Sequence, residues 1–166
     1  MMLWSLFVVG VLMTLTDADC PDGWSEYDNA CYIYFMDHDN WNDARAHCHS
    51  FDFSCDDKYA RLSLATLTND GEREFANSLW KDATGGRITD TYGARYWIGL
   101  YKNNEGWHWD DARKVVAGEL NWAKDEPNNQ GGNQNCAAVW FDDLKWDDRN
   151  CYTSEGLAYL CEFKCE

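Results

Sequence analysis

Eight cysteines in a chain of 166 residues constrain this fold more than any other feature. Cytosolic proteins rarely carry structural thiols at that density, whereas in an oxidising compartment cysteines pair and staple domains too small to rest on an apolar core alone. The N-terminal sequence agrees with export. Residues 3–15 form an apolar run, at roughly 13 residues too short for a bilayer span. It is followed by Thr16-Asp17-Ala18, small enough at its last position for signal peptidase. The expected organisation is therefore a signal peptide over residues 1–18 and one secreted, extracellular domain over residues 19–166. No internal repeat, heptad array or collagen-like stretch divides it.

Charge narrows the partners. With 14 Lys and Arg against 29 Asp and Glu, the chain carries −15 at pH 7. Nucleic acid and anionic membrane surfaces both demand a basic patch and are not expected. A cation is the natural complement, although acidic residues can equally form a solvated surface. There is no Asn-x-Ser/Thr sequon, so N-glycosylation is not expected.

Local patterning predicts two helices. Over residues 40–50, Trp41, Ala44 and Cys48 share one face, with Asn40 as the cap. The second helix opens at Asn69, has Glu72 placed for a capping box, and is expected to bury Phe75, Ala76 and Leu79. From residue 96 onward the texture changes to short apolar pieces at 96–100, 107–109, 137–141 and 157–161, which read as antiparallel strands. Between them lie eleven residues, 125–135, with almost nothing to bury. Loops of that length are usually functional or disordered, and the tryptophan-rich segments on either side favour function.

Several of these pieces together resemble the C-type lectin family: Cys20-Pro21-Asp22-Gly23-Trp24 with Cys31, Cys48, Trp97-Ile98-Gly99-Leu100, Glu126-Pro127-Asn128, Cys136, Trp146-Asp147-Asp148, Cys151 and Cys161. The resemblance implies an α+β, disulfide-rich, C-type lectin-like fold, with two helices flanking small antiparallel β-sheets and a long calcium-binding loop. It also implies the bridges Cys20–Cys31, Cys48–Cys161 and Cys136–Cys151. The Cys48 to Cys55 insert and the Cys161-x-x-x-Cys165 ending look similar to secreted lectins of marine invertebrates. Cys55 and Cys165 are left over. They lie ~10 Å beyond Cys48 on a continued helix and ~13 Å beyond Cys161 on a strand, so they can reach each other. An intermolecular bridge is the alternative.

The family motif positions imply a Ca2+ site formed by Glu126, Asn128, Gln134, Asp147 and Asp148, in which Glu126, Asn128, Gln134 and Asp147 also contact the carbohydrate. These are the hard oxygen donors that calcium takes. The other reading of the loop is a polar surface turn. Pro127 has two readings, an ordinary trans turn proline or a cis peptide that aims the Glu126 and Asn128 carbonyls at the metal, and the resemblance implies cis. Lys102, Asn129 and Asn135 stand where members with additional calcium have acidic residues, so one principal ion is expected. Trp97, Trp107 and Trp109 read as core; Trp140 and Trp146 lie nearer the loop, within reach of a ligand, with core the favoured reading for them too.

The implied function is a calcium-dependent lectin for glycans, with innate immune recognition as a family-level expectation. Glu126-Pro127-Asn128 resembles the triplet of mannose-type binders. Gln134 and Asp147 exchange the carboxylate and amide usual at their positions, which keeps a galactose-type preference open. A non-sugar role, binding ice, mineral or protein, is the rival on the same fold. No enzyme is expected: Glu126 and Asp147 imitate a glycosidase pair but sit among amides that favour the ionised form. A single shallow site needs clustering for avidity, and a homo-oligomer is one route to it.

Overall fold

Asp28 and Asn29 both adopt left-handed backbone, φ 47° and 64°, the conformation a two-residue hairpin turn requires. They join β1 (Ser25–Tyr27) to β2 (Ala30–Asp39) in register Tyr27 to Ala30. The computed structural model describes residues 20–56, 58–86, 95–141, 143–154 and 156–166. The expected signal peptide and its cleavage point lie outside the described residues.

Both helices form where their caps place them. Asn40 accepts from the backbone N–H groups of Asn42 and Asp43 and opens α1 (Trp41–His49), whose Trp41, Ala44 and Cys48 are buried. Asn69 and Glu72 make the reciprocal capping box that opens α2 (Asp70–Thr84), and Gly85 closes it at φ 61°. The buried stripe of α2 is shifted from expectation. Ala76 and Trp80 are fully buried, while Phe75 and Leu79 are only partly so. Trp80, four residues beyond Ala76 on the same stripe, turns its ring towards Tyr34 and Tyr96.

The remaining strands are β3 (Ala60–Leu64), β4 (Arg95–Asn103), β5 (Gly106–Trp109), β6 (Cys136–Trp140), β7 (Trp146–Arg149) and β8 (Leu157–Cys165). Among the described residues they form one connected sheet in the order β1-β2-β8-β4-β6-β7, with β3 on β8 and β5 on β4. The α+β class holds, but the strands are hydrogen-bonded into one network and β4 runs parallel to β8. β8 is the spine. Its first residues pair with β4 and its last five with β3, so one strand carries both halves of the domain. Gly99 marks a tight crossing, since a Cβ there would stand 2.6 Å from the Leu64 carbonyl oxygen.

All eight cysteines are paired within the chain, as Cys20–Cys31, Cys48–Cys161, Cys136–Cys151 and Cys55–Cys165. The fourth bridge is thus internal. Its 110-residue separation overstates its effect, because Cys48–Cys161 already closes nearly the same loop. The ring it adds runs only over 48–55 and 161–165, worth about 3 kcal/mol of loop entropy where an independent bridge of that span would give about 5.

Candidate functional site

The 125–135 loop is hung from β7 at both ends. At its start Ala123 N–H donates to the Trp146 carbonyl at 2.8 Å, and at its end Asn135 N–H donates to the Arg149 carbonyl at 3.0 Å. Cys136–Cys151 fastens the strand that follows. Within the loop, Asp125 and Asn129 take positive φ and residues 130–132 form a short 3-10 turn. The Glu126–Pro127 peptide is cis, as the resemblance implies.

Asp148 is the anchor. It is nearly fully buried, and its two carboxylate oxygens accept from the backbone N–H of Asn128 and of Asn129, each at 2.9 Å. Charge-assisted bonds of this kind are about twice as strong as neutral ones. They fix the Pro127–Asn128 corner over β7. Asn128 then reaches back to Glu126: its Nδ2 donates to Oε1 at 2.7 Å and its backbone N–H to Oε2 at 3.1 Å. The Asn128 Oδ1 accepts from Gln130 N–H at 2.8 Å, and Asn129 Oδ1 from Gln134 N–H at 3.0 Å.

Glu126, Asn128 and Asp148 are therefore brought together directly, while Gln134 is tied in through Asn129. Asp147 stands apart. Its Oδ2 faces two guanidinium groups, Arg149 at 3.1 Å and Arg95 at 3.3 Å, and its Oδ1 is buried with no hydrogen-bond partner. The Gln134 Oε1 is a second buried acceptor without a donor. Burial raises the Asp147 carboxyl above its ordinary value against the pull of both arginines. Burial also raises Glu126, and the neighbouring Asp148 carboxylate adds to that.

Carboxylates alone do not make a metal centre here. Among the described residues no three His, Cys, Asp or Glu are grouped so as to hold an ion, and half of the Asp147 carboxylate is committed to arginine. A cation at this place must draw on the amide oxygens of Asn128 and Gln134 as well. The orphaned Asp147 Oδ1 and Gln134 Oε1 are hard oxygen donors of that kind, so the donor set fits a calcium-like ion.

Sequence reasoning singled out neither arginine. The signal available was weak: Arg149 directly follows the tryptophan triplet and Arg95 heads the Trp97 strand. Trp97, Trp109 and Trp146 are buried core, Trp107 is partly buried, and Trp140 is half-buried under Arg95. His47 and His49 diverge, to the Tyr159 hydroxyl at 2.5 Å and Asp110 at 2.9 Å.

Comparison with known proteins gives a consistent picture. A family model described as "Lectin C-type domain" matches residues 37–163. The sequence is 30% identical over 138 residues to "Ladderlectin" of Oncorhynchus mykiss, covering 81% of this chain and 64% of that protein, less than two thirds of its length. It is also 30% identical over 146 residues to "Perlucin-like protein" of Mytilus galloprovincialis, covering 86% of this chain and 82% of that one. The structure is similar to that of the C-type lectin CEL-I from Cucumaria echinata, with a TM-score of 0.73, 26% identity, and coverage of 89% of this chain and 99% of that chain.

Proposed function

The chain belongs to the C-type lectin domain family, which comprises carbohydrate-binding proteins and not enzymes, and from that premise we propose a secreted lectin that binds glycans through calcium at Glu126, Asn128, Gln134, Asp147 and Asp148. The observation that carries the reading is the pair of buried oxygen acceptors, Asp147 Oδ1 and Gln134 Oε1, beside a loop that Asp148 pins in place. A buried acceptor without a donor costs about 1–3 kcal/mol. A ligand offering cationic charge or hydroxyl hydrogens removes that cost.

Calcium bound there would supply a hard cationic centre to which two adjacent sugar hydroxyls can add as oxygen ligands. The chain's own residues do the sorting. Asn128 Nδ2 and Glu126 Oε1, already paired at 2.7 Å, present a donor and an acceptor side by side. One hydroxyl can satisfy both at once. At the second position Gln134 donates through its amide and Asp147 accepts through Oδ1. Asp148, each of whose oxygens accepts one bond from the loop backbone, holds the shape and keeps further lone pairs and its charge for the ion.

With Lys102, Asn129 and Asn135 at the auxiliary positions, one principal ion is proposed, with affinity in the extracellular range of about 10⁻⁴ to 10⁻³ M. The Glu126-Pro127-Asn128 triplet supports a mannose-type preference, and the Gln134 and Asp147 exchange keeps galactose-type sugars as the second reading. Among the described residues no helix is long and apolar enough to cross a membrane. Extracellular action, on glycans such as those of microbes, fits the reading, with self-association as one source of avidity.

A glycan array probed with calcium and again with chelator tests the proposal. Retention of hexose-bearing glycans only in calcium is expected. Retention that ignores chelation overturns the metal assignment, and retention of no glycan overturns the lectin reading.

A further inference from the structure

Asp147 is served by two arginines, and they are not equivalent. Arg95 heads β4 with a side chain 12% exposed, and its guanidinium carbon lies 3.1 Å from the centroid of the Trp140 ring. Stacked there, it is held beside Asp147 with its Nε 3.3 Å from Oδ2. Arg149 is the second partner. Its side chain is 22% exposed, and it lies two residues beyond Asp147 on β7, on the same face. Among the described residues its guanidinium pairs with Asp147 only, through Nη1 at 3.1 Å. A guanidinium is a planar fork of five N–H donors that matches carboxylate or sulfate geometry. With Nη1 engaged by Asp147 Oδ2, Nε and Nη2 have no hydrogen-bond partner among the described residues and are on offer to a ligand.

We propose that Arg149 makes this site selective for acidic sugars, with the hydroxyls of the sugar on the Glu126, Asn128, Gln134 and Asp147 set and its carboxylate or sulfate on the Arg149 guanidinium. The proposal rests on reading the loop as a calcium-dependent sugar site. Its physical basis is that a carboxylate or sulfate meets the guanidinium fork with two parallel bonds and the attraction of opposite charges, whereas a hydroxyl offers one oxygen and no charge. The chain's formal charge of −15 opposes long-range attraction of an anion. The preference therefore arises at contact and shows itself in slower dissociation rather than faster encounter.

The test compares sugars that differ only in oxidation at C6: glucose with glucuronate, galactose with galacturonate, and mannose with mannuronate, each immobilised and exposed to the oxidised full chain in calcium. For whichever hexose binds, the uronate is expected to be held roughly tenfold more tightly, the equivalent of one hydrogen bond to a charged group. Arg149→Gln brings the ratio of uronate to hexose close to one. Arg149→Lys, which keeps the charge but not the fork, gives an intermediate ratio. Lys58→Gln removes an exposed charge on the segment leading into β3 and keeps the wild-type ratio. Calorimetry with calcium alone checks that each variant still has its ion site. Equal retention of both members by the native chain overturns the acidic preference and leaves the sugar site standing, as does an unchanged ratio in Arg149→Gln or the same fall in Lys58→Gln. Retention of no member of any pair overturns the sugar reading and this inference together.

Discussion

Two groups of buried acids in this domain look alike in sequence and differ in what surrounds them. Beneath β3 and β8, Asp110 pairs with Arg45, with His49 at 2.9 Å and with the Leu64 N–H at 3.0 Å. Asp111 takes the Arg113 side chain, and Glu162 accepts from Thr66 N–H at 2.7 Å and from Arg113 at 3.2 Å. Along the loop and β7, Asp148 is satisfied by backbone but Asp147 keeps one buried oxygen without a donor. Among the described residues it is the one buried carboxylate oxygen left in that condition. On the proposed reading, the contrast separates acids that hold the fold from one that is placed to take a ligand. A fully satisfied carboxylate is already at its energy minimum, whereas an orphaned one gains on binding.

Removing one acid from each group should break the molecule in different ways. Asp110→Ala strands the buried Leu64 N–H and leaves Arg45 without its partner, so a loss of about 3 kcal/mol in denaturant midpoint analysis is expected. A loss within error would mean that the group beneath β8 is not structural. Asp148→Ala removes two bonds to the loop backbone and should cost less stability, on the order of 1–2 kcal/mol. Its large effect is elsewhere. Retention on immobilised sugar should vanish while all four bridges stay closed on a non-reducing gel, and normal retention would remove Asp148 from the site.

A finer probe exchanges the carboxylate and amide of the loop pair. Gln134→Glu with Asp147→Asn conserves charge and should alter the ranking of sugars by several-fold, roughly the worth of one hydrogen bond, more than it alters calcium affinity. Either single change should bind worse than the double. Asp147→Asn alone deprives Arg95 and Arg149 of their carboxylate, and Gln134→Glu alone adds an unanswered one. An unaltered ranking in the double variant would show that the second pair does not choose the sugar.

Acid should move the two groups in opposite directions. On the proposed reading protons compete with calcium for Glu126 and Asp147, and since burial raises both carboxyls, retention should begin to fall above the ordinary carboxylate range as pH drops. Glu162 behaves the other way. Burial, against the pull of Arg113, pushes its carboxyl up to about 7. The folded state therefore holds a proton that the unfolded chain releases at its lower, ordinary value. That contribution to stability is fully present in acid and is lost as pH rises through about 7. Glu162→Gln, which keeps an acceptor for Thr66 N–H, should flatten the fall in Tm between about pH 5 and about pH 8. Identical profiles for native and variant chains would assign the fall to another group.

How much was legible depends on how far apart the interacting residues lie. The Asn40 cap and the Asn69 and Glu72 capping box are contacts within three residues, and the structure has them as the sequence implies. The cysteine count, the long loop and the triplets on either side were equally plain, and through family resemblance they carried three of the bridges and supplied the proposed site residues. β2 and β3 escaped because their burial does not alternate cleanly along the chain. β7 escaped for a sharper reason. Three of its four residues, Asp147, Asp148 and Arg149, are charged, and charged residues argue against a strand until it is known what they meet across the sheet. Arg95 reaches Asp147 across 52 positions, and no local pattern connects them. Sequence determined which segments would stiffen and which oxygens were on offer, because caps, turns and residue chemistry are short-range properties. Tertiary structure decided which oxygens were already spent, because each buried hydrogen bond is settled by whichever distant donor the packed sheet brings within about 3 Å.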